Sequence, residues 1–303
     1  MSAWRKPPLV SGQRARGKWW KGGLRRTSWR LRTPSKWIGG LLAVVVGVVF
    51  VFPYYWIILT SLDNASQVFT FPPRIFPGTD FGNFLVAWSA APWAQYFLNT
   101  VLISVVTVAL AMLTSVLAGF ALGVMRFPGR QLLFSFVLSM LMIPWIVILI
   151  PDYIILKDLH WLNTYQAQIV PFGASVFGIF LLRQFFIGLP RELVEAAELD
   201  GASQMGFLWK VALPLARPAL VTVALYVFIT MWDSFLWPFI MTSSSSVQPI
   251  EVGLANFFGV NNTQWSELMA AVVFTTLPVM IVFLFAQRLL VEGVVSAGSG
   301  VKG

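Results

Sequence analysis

Six long apolar stretches decide what this chain can become. Residues 38–62, 96–124, 132–151 and 268–286 contain no charged side chain. A weaker stretch, 160–182, carries Asn163, Gln166 and Gln168 near its start, and another, 215–241, tolerates Asp233. About 20 apolar residues cross the hydrocarbon core of a bilayer as a helix. Lipid offers no partner to a free backbone amide, so each stretch is expected to be helical. The alternating pattern of a membrane barrel is absent. The reading is an all-α polytopic membrane protein with six transmembrane helices. Composition agrees: 57% of the 303 residues are hydrophobic and 11% charged, against about 25% charged in soluble domains. Cysteine is absent, so neither disulfides nor thiolate metal sites can form.

Basic residues orient the spans. Of 21 Lys and Arg, 11 precede residue 37, two lie in 125–131, four in 183–217 and two after the last span. Only Arg74 and Lys157 fall in the intervening loops. Positive charge stays on the cytoplasmic side, so the pattern predicts both termini inside. The net charge of +9 is then a flank beside anionic membrane lipid rather than a nucleic-acid surface. Residues 1–36 show no periodic apolar pattern and are read as a disordered basic tail. Residues 37–293 form the six-helix domain, with a cytoplasmic loop at 183–217 and a short cytoplasmic tail at 294–303.

The most polar island is 190–214, PRELVEAAELDGASQMGFLWKVALP. Pro190 suits a helix start, and Glu192 and Glu195 suit the positive end of the helix dipole. Gly201 is a plausible stop. Leu193, Ala196 and Ala197 share a small, mildly apolar face that could dock into a partner's groove. A solvated linker helix is the alternative.

Glu195-Ala196-Ala197, then Gly201, Val211 and Leu213-Pro214, resembles the EAA signature of permease subunits of ABC importers; Val211 stands where isoleucine is commoner. The resemblance implies a type I importer permease fold. In it this segment is a cytoplasmic coupling helix seated on an ATPase subunit, with Glu195, Ala196, Ala197, Asp200, Gly201, Leu213 and Pro214 at or near the contact.

Asp233 stands in Trp232-Asp233-Ser234-Phe235-Leu236-Trp237-Pro238. An ionisable group within a span points to a pathway or a buried partner. Near a membrane surface it can equally be wetted, with Trp232 and Trp237 as interface anchors. The run resembles the Trp-Asn-Glu-Phe-Leu-Trp-Pro pattern of carbohydrate-uptake permeases, departing at Asp233 and Ser234. Residues 178–186, GIFLLRQFF, and the ending QRLLVEG followed by GVKG are similar to the second permease of maltose-type systems. That similarity makes Trp232, Asp233 and Trp237 candidate pathway residues, and Val301, Lys302 and Gly303 a candidate tail contact with the ATPase.

The resemblance implies a multi-pass protein of a bacterial or archaeal plasma membrane. It would form half of a pathway for a sugar, polyol or glycerol phosphate. Its partners would be a second permease, two ATPase subunits and an extracytoplasmic solute-binding protein. The chain has no GxxxxGK[ST] phosphate loop, so ATP and Mg would be held by the partner ATPases, with no cofactor, metal or enzymatic centre in this chain. An ion-coupled carrier would need several ionisable residues deep in the spans; a non-transporting scaffold would have no pathway at all.

Three smaller features carry expectations. His160, beside Asp158 and Trp161, reads as an interfacial loop residue. The serine run 243–246 reads as a solvated connector. Pro144, Pro171, Pro218 and Pro278 fall inside spans, where neighbouring helices can accept the freed carbonyls as bends or pathway-lining breaks.

Overall fold

The computed structural model describes residues 36–256 and 264–299, with side chains over 39–256 and 264–285. The chain divides into two units, Met1–Val51 and Phe52–Gly303. Of the first, the described part is the beginning of α1 (Lys36–Ser61). Everything that follows belongs to the second.

The described residues are helical and contain no strand. A short α2 (Gly82–Ser89) precedes α3 (Trp93–Gly123), which contains no charged residue over its 31 positions. α4 (Arg130–Ser139) and α5 (Trp145–Asp158) meet at a bend of 98°. α6 (Tyr165–Ile169) continues through a tight turn at Val170–Phe172 into α7 (Val176–Ile187). Then come α8 (Arg191–Leu199), α9 (Gln204–Phe207), a π-helical turn at Leu208–Ala212, and α10 (Leu213–Leu215). α11 (Arg217–Trp232), α12 (Leu236–Met241), α13 (Ile250–Ala255) and α14 (Trp265–Ser299) complete the chain.

Four stretches are long and apolar enough to cross a membrane: Gly39–Ser61, Trp93–Gly123, Tyr165–Ile187 and Trp265–Phe285. Two bent pairs, α4 with α5 and Gln204–Leu215 with α11, raise the number to six if each is one span. The sequence treats 132–151 and 215–241 as single helices, and here the structure differs. Ile143 is extended because Pro144 after it crowds the helical conformation. α5 restarts with Pro144 at its N-cap. The second bend, 81°, falls at Ala216, just before Arg217 and Pro218 begin α11. α11 ends at Trp232, and residues 233–235 separate it from α12. Pro171 sits in the turn between α6 and α7, and only Pro278 of the four is inside a continuous helix. His160, exposed and left-handed (φ 58°), closes α5.

α3 is the spine against which α7 and α11 pack, around a core of Phe120, Leu182, Phe186, Leu208, Val223 and Val227. Small residues let the backbones approach. A Cβ on Gly119 would lie 3.1 Å from the Arg183 backbone nitrogen, and one on Gly178 would lie 2.5 Å from Ser115 Oγ. A methyl group at Gly119 would press on the α7 backbone, and one at Gly178 would require Ser115 and Val223 to shift.

Candidate functional site

At the end of the bundle where α3 stops, Gly188–Pro190 turns the chain from α7 into α8. Pro190 occupies the N-cap, one position before the first turn, and Glu192 lies within that turn. The far end closes as a Schellman motif. Gly201 N–H donates to Glu198 O at 3.0 Å and Ala202 N–H to Ala197 O at 2.9 Å. Gly201 is left-handed, φ 74°. Nothing lies within 4 Å of the position its Cβ would take, so glycine is required here by backbone conformation and not by crowding within this chain.

No residue of α8 is fully buried. Val194 and Ala197 pack against the core formed by α3, α7 and α11. Leu193, Glu195, Ala196 and Leu199 are exposed, Leu199 to 90%. The apolar face expected from Leu193, Ala196 and Ala197 is therefore split: Ala197 points inward and the other two outward. Asp200 and Gly201 are exposed at the helix end. Ser203 Oγ then caps α9 by accepting the Gly206 N–H at 3.1 Å. Phe207, Leu208 and Ala212 anchor the return path in the core, Leu213 packs beside them and Pro214 is exposed. Val301, Lys302 and Gly303 lie outside the described residues.

At the other end of α3 the candidate pathway residues part company. Trp232 and Trp237 are buried, 3% and 5% exposed. Trp237 Nε1–H donates to Ala167 O at 3.0 Å, and its ring stands edge-on to Phe172 at 5.0 Å. Trp232 packs on Phe228 at 5.4 Å. Both indoles serve packing within the chain. Asp233 alone is presented, at the C-cap of α11 rather than within a helix. Its neighbour in charge is Glu251, half-buried in the first turn of α13. Burial, and then the charge of Asp233, push the Glu251 carboxyl above the ordinary glutamate value. Glu251 escaped the sequence reading; its only local sign is an acidic residue two places after Pro249.

The serine run is solvated as expected, but it is more than a connector. Its side chains are largely exposed, but its backbone is gripped. Asn99 Nδ2 donates to Gln248 O at 2.8 Å, Gln168 Nε2 to Val247 O at 2.9 Å, and Tyr165 Oη to Ser246 O at 3.2 Å. Asn163 Oδ1 accepts the Ser243 and Ser244 N–H groups at 3.0 and 2.9 Å. Thr100 Oγ1 accepts the Ile250 N–H at 2.8 Å. Tyr165 Oη shares its single hydrogen between Ser246 O and Asn99 Oδ1, the nearer acceptor at 2.7 Å, tying α6 to α3. The connection 242–249 is thereby fixed to the start of α3, and it carries α13 with it.

The described residues are all helical, with four to six membrane-long apolar segments and a self-closed helix exposed at one end, the form of a polytopic membrane protein. Residues 115–296, more than half of the chain, match the family described as binding-protein-dependent transport system inner membrane component. The chain belongs to that family and is a multi-pass inner membrane protein. It is 33% identical over 271 residues to an arabinooligosaccharides transport system permease protein of Halalkalibacterium halodurans, covering 88% of this chain and 96% of the relative. It is 32% identical over 266 residues to an sn-glycerol-3-phosphate transport system permease protein of Yersinia pestis, covering 84% and 95%. A chain of a bacterial ABC transporter that imports the acidic polysaccharide alginate shares the fold. The TM-score is 0.75 at 24% identity, over 84% of this chain and 95% of that one. A second alginate transporter structure, in complex with a periplasmic protein bound to an alginate pentasaccharide, matches with a TM-score of 0.62 at 14% identity. Membership sets aside both the ion-coupled carrier and the non-transporting scaffold. The EAA signature and its coupling helix are typical features of this family.

Proposed function

We propose that this chain is the membrane-spanning subunit of an ATP-driven sugar importer, with six spans and both termini in the cytoplasm. The single observation that carries this reading is α8. It is a short acidic-started helix, closed by its own backbone, exposed on Leu193, Glu195, Ala196 and Leu199, and anchored to the α3–α7–α11 core through Val194 and Ala197. Such an element can receive a partner without unfolding and can pass displacement into the core. The chain has no phosphate loop, so hydrolysis falls to two separate ATPase subunits, with ATP and Mg bound there. A second permease supplies the other half of the pathway, and a solute-binding protein delivers the cargo. ATP-bound and nucleotide-free states then favour opposite openings. The relatives' names, an arabinooligosaccharide and a glycerol-phosphate system, support a carbohydrate or related polyol as solute.

Ala196→Trp tests the docking role. Ala196 is exposed, so the bulky indole meets nothing in this chain and obstructs only a partner. The variant is expected to insert normally, yet to lose co-purifying ATPase and solute-stimulated hydrolysis in proteoliposomes. Normal association, hydrolysis and uptake would defeat the reading. For sidedness, a single cysteine at Ser203 is expected to resist an impermeant reagent applied to intact cells.

A further inference from the structure

The turn from α3 to α4 holds a concentration of positive charge that the coupling role does not use. Arg126 is exposed and makes no hydrogen bond within the described residues. Arg130 is half-buried, and its Nη1 donates to Met125 O at 2.8 Å and Gly123 O at 3.4 Å, at the C-terminal end of α3. Arg183, 7% exposed, converges on the same helix end: Nε donates to Leu122 O at 3.0 Å and Nη2 to Gln131 Oε1 at 3.3 Å. Its guanidinium lies 3.6 Å from the Phe134 ring centroid. The carbonyl dipoles of α3 offset part of this charge. No carboxylate does: among the described residues none pairs with any of the three, and no acidic residue occurs between Asp80 and Asp152.

Arg126 and Arg130 line a cleft of about 420 Å³ together with Phe127 and Pro128. Arg130 uses a single nitrogen on the α3 carbonyls, so donors of its planar fork remain for an anion. The surface running on from the cleft is apolar. α4 buries only Phe134 and exposes Leu132, Leu133 and Phe136. A free phosphate would satisfy the arginines but make no use of the apolar face of α4, part of a candidate span, that runs on from them. A molecule with an anionic head and acyl chains matches both parts.

We propose that Arg126 and Arg130 bind the phosphate of an anionic phospholipid, whose acyl chains lie along the exposed face of α4. The lipid supplies the counter-charge that the chain lacks and holds the α3–α4 turn at the membrane surface. The inference rests on the cytoplasmic placement of residues 125–131 proposed above. Lipid binding in detergent is read without reference to sidedness, whereas cysteine labelling at Ser203 reads sidedness alone, so the two can fail separately.

The test uses the assembled transporter, purified in detergent, stripped of lipid, and titrated with phosphatidylglycerol or phosphatidylcholine under native mass spectrometry. Phosphatidylglycerol is expected to bind in preference, and Arg126→Gln to weaken it about fivefold. Arg126→Lys, which keeps the charge, is expected to retain most of the binding. Arg126 has no hydrogen-bond partner among the described residues, so these variants leave the described fold alone. Equal binding of the two lipids, or unchanged phosphatidylglycerol binding in Arg126→Gln, would overturn the proposal. So would displacement by millimolar inorganic phosphate, which assigns the cleft to a soluble anion. Binding that appears only after the ATPase subunits are removed assigns the cleft to a protein interface and overturns it equally.

Discussion

Two polar stretches interrupt this apolar chain, at opposite ends of α3, and the structure treats them in opposite ways. The α8 segment keeps its backbone bonds to itself: it closes with Gly201 and Ala202 donating to Glu198 and Ala197. Its side chains are left for others. The 242–249 connection does the reverse. Its side chains do little, while its backbone is held by Asn99, Asn163, Tyr165 and Gln168 from distant parts of the chain. Polarity in a membrane protein thus has two meanings. A polar stretch that satisfies its own backbone is available to a partner. One whose backbone is satisfied by side chains from distant helices belongs to the scaffold.

The contrast can be broken most forcefully at Asn99. Its side chain is 1% exposed and links α3 both to the Gln248 carbonyl and to Tyr165. Asn99→Leu orphans that carbonyl in a buried setting and is expected to cost roughly 2–3 kcal/mol. The check is the temperature at which the detergent-solubilised protein loses its monodisperse peak, expected to fall by several degrees. An unchanged temperature would mean that the stretch is a mere connector after all.

At the other stretch the expected loss is smaller and local. Gly201→Val forces a branched side chain into a left-handed conformation, roughly 1–2 kcal/mol. The closure of α8 then frays while the bundle stays intact. Tryptic cleavage at Arg191 is expected to accelerate up to about tenfold, with the global melting temperature unmoved. Gly201→Asn, which tolerates this conformation, is expected to cleave nearly as slowly as the parent. A fall in global melting for Gly201→Val would show α8 to be structural and would erase the distinction.

Glu251 sharpens the comparison through pH. Its carboxyl is raised by burial and by Asp233, so the folded state holds the proton to a higher pH than the unfolded chain does. That contribution is present at low pH and is lost as pH rises from the ordinary value of 4.5 through the raised one. Glu251→Gln is expected to flatten this part of the stability profile, seen as a smaller drop in thermal stability between acid and neutral pH. An unchanged profile would place Glu251 in open water and loosen α13 from the scaffold.

The smallest effect belongs to Ser243→Ala. Ser243 is exposed, and its hydroxyl makes no hydrogen bond within the described residues; only its backbone N–H is engaged, by Asn163. The change is expected to stay within about 0.5 kcal/mol in the same melting assay. A large loss would return importance to the serine side chains.

What could be read from residue order was local or periodic. The apolar stretches, the helix opening near Pro190 and the stop at Gly201 depend on neighbours in sequence; the structure contains the opening and the stop, keeps four of the stretches as membrane-long segments and bends the other two. What escaped depends on neighbours in space. No local signal says that Ala197 turns inward while Ala196 does not, since both sit on a helix whose partner face is set by the α3–α7–α11 core. Trp232 and Trp237 carry the composition of an interface belt, yet their burial follows from contacts with Phe228, Phe172 and Ala167. The grip on 242–249 links residues about 150 positions apart in the chain. Pro144 was recognisable as a break, but its 98° depends on how α5 packs beyond it.

The close crossing of α3 and α7 makes them a lever. Gly119 and Gly178 seat α7 tightly on α3, where an added Cβ would crowd Arg183 N and Ser115 Oγ, so a joint tilt of the two helices disturbs fewer contacts than sliding one along the other. From Gly119 to Asn99 along α3 is about 30 Å, and from Leu182 to the end of α7 at Ile187 about 8 Å, at 1.5 Å per helical residue. A tilt about that fulcrum would move the Asn99 end several times as far as the α8 end of α7. With the 242–249 connection held to the long arm, a push on α8 of the kind proposed above would be amplified at the opposite mouth of the bundle.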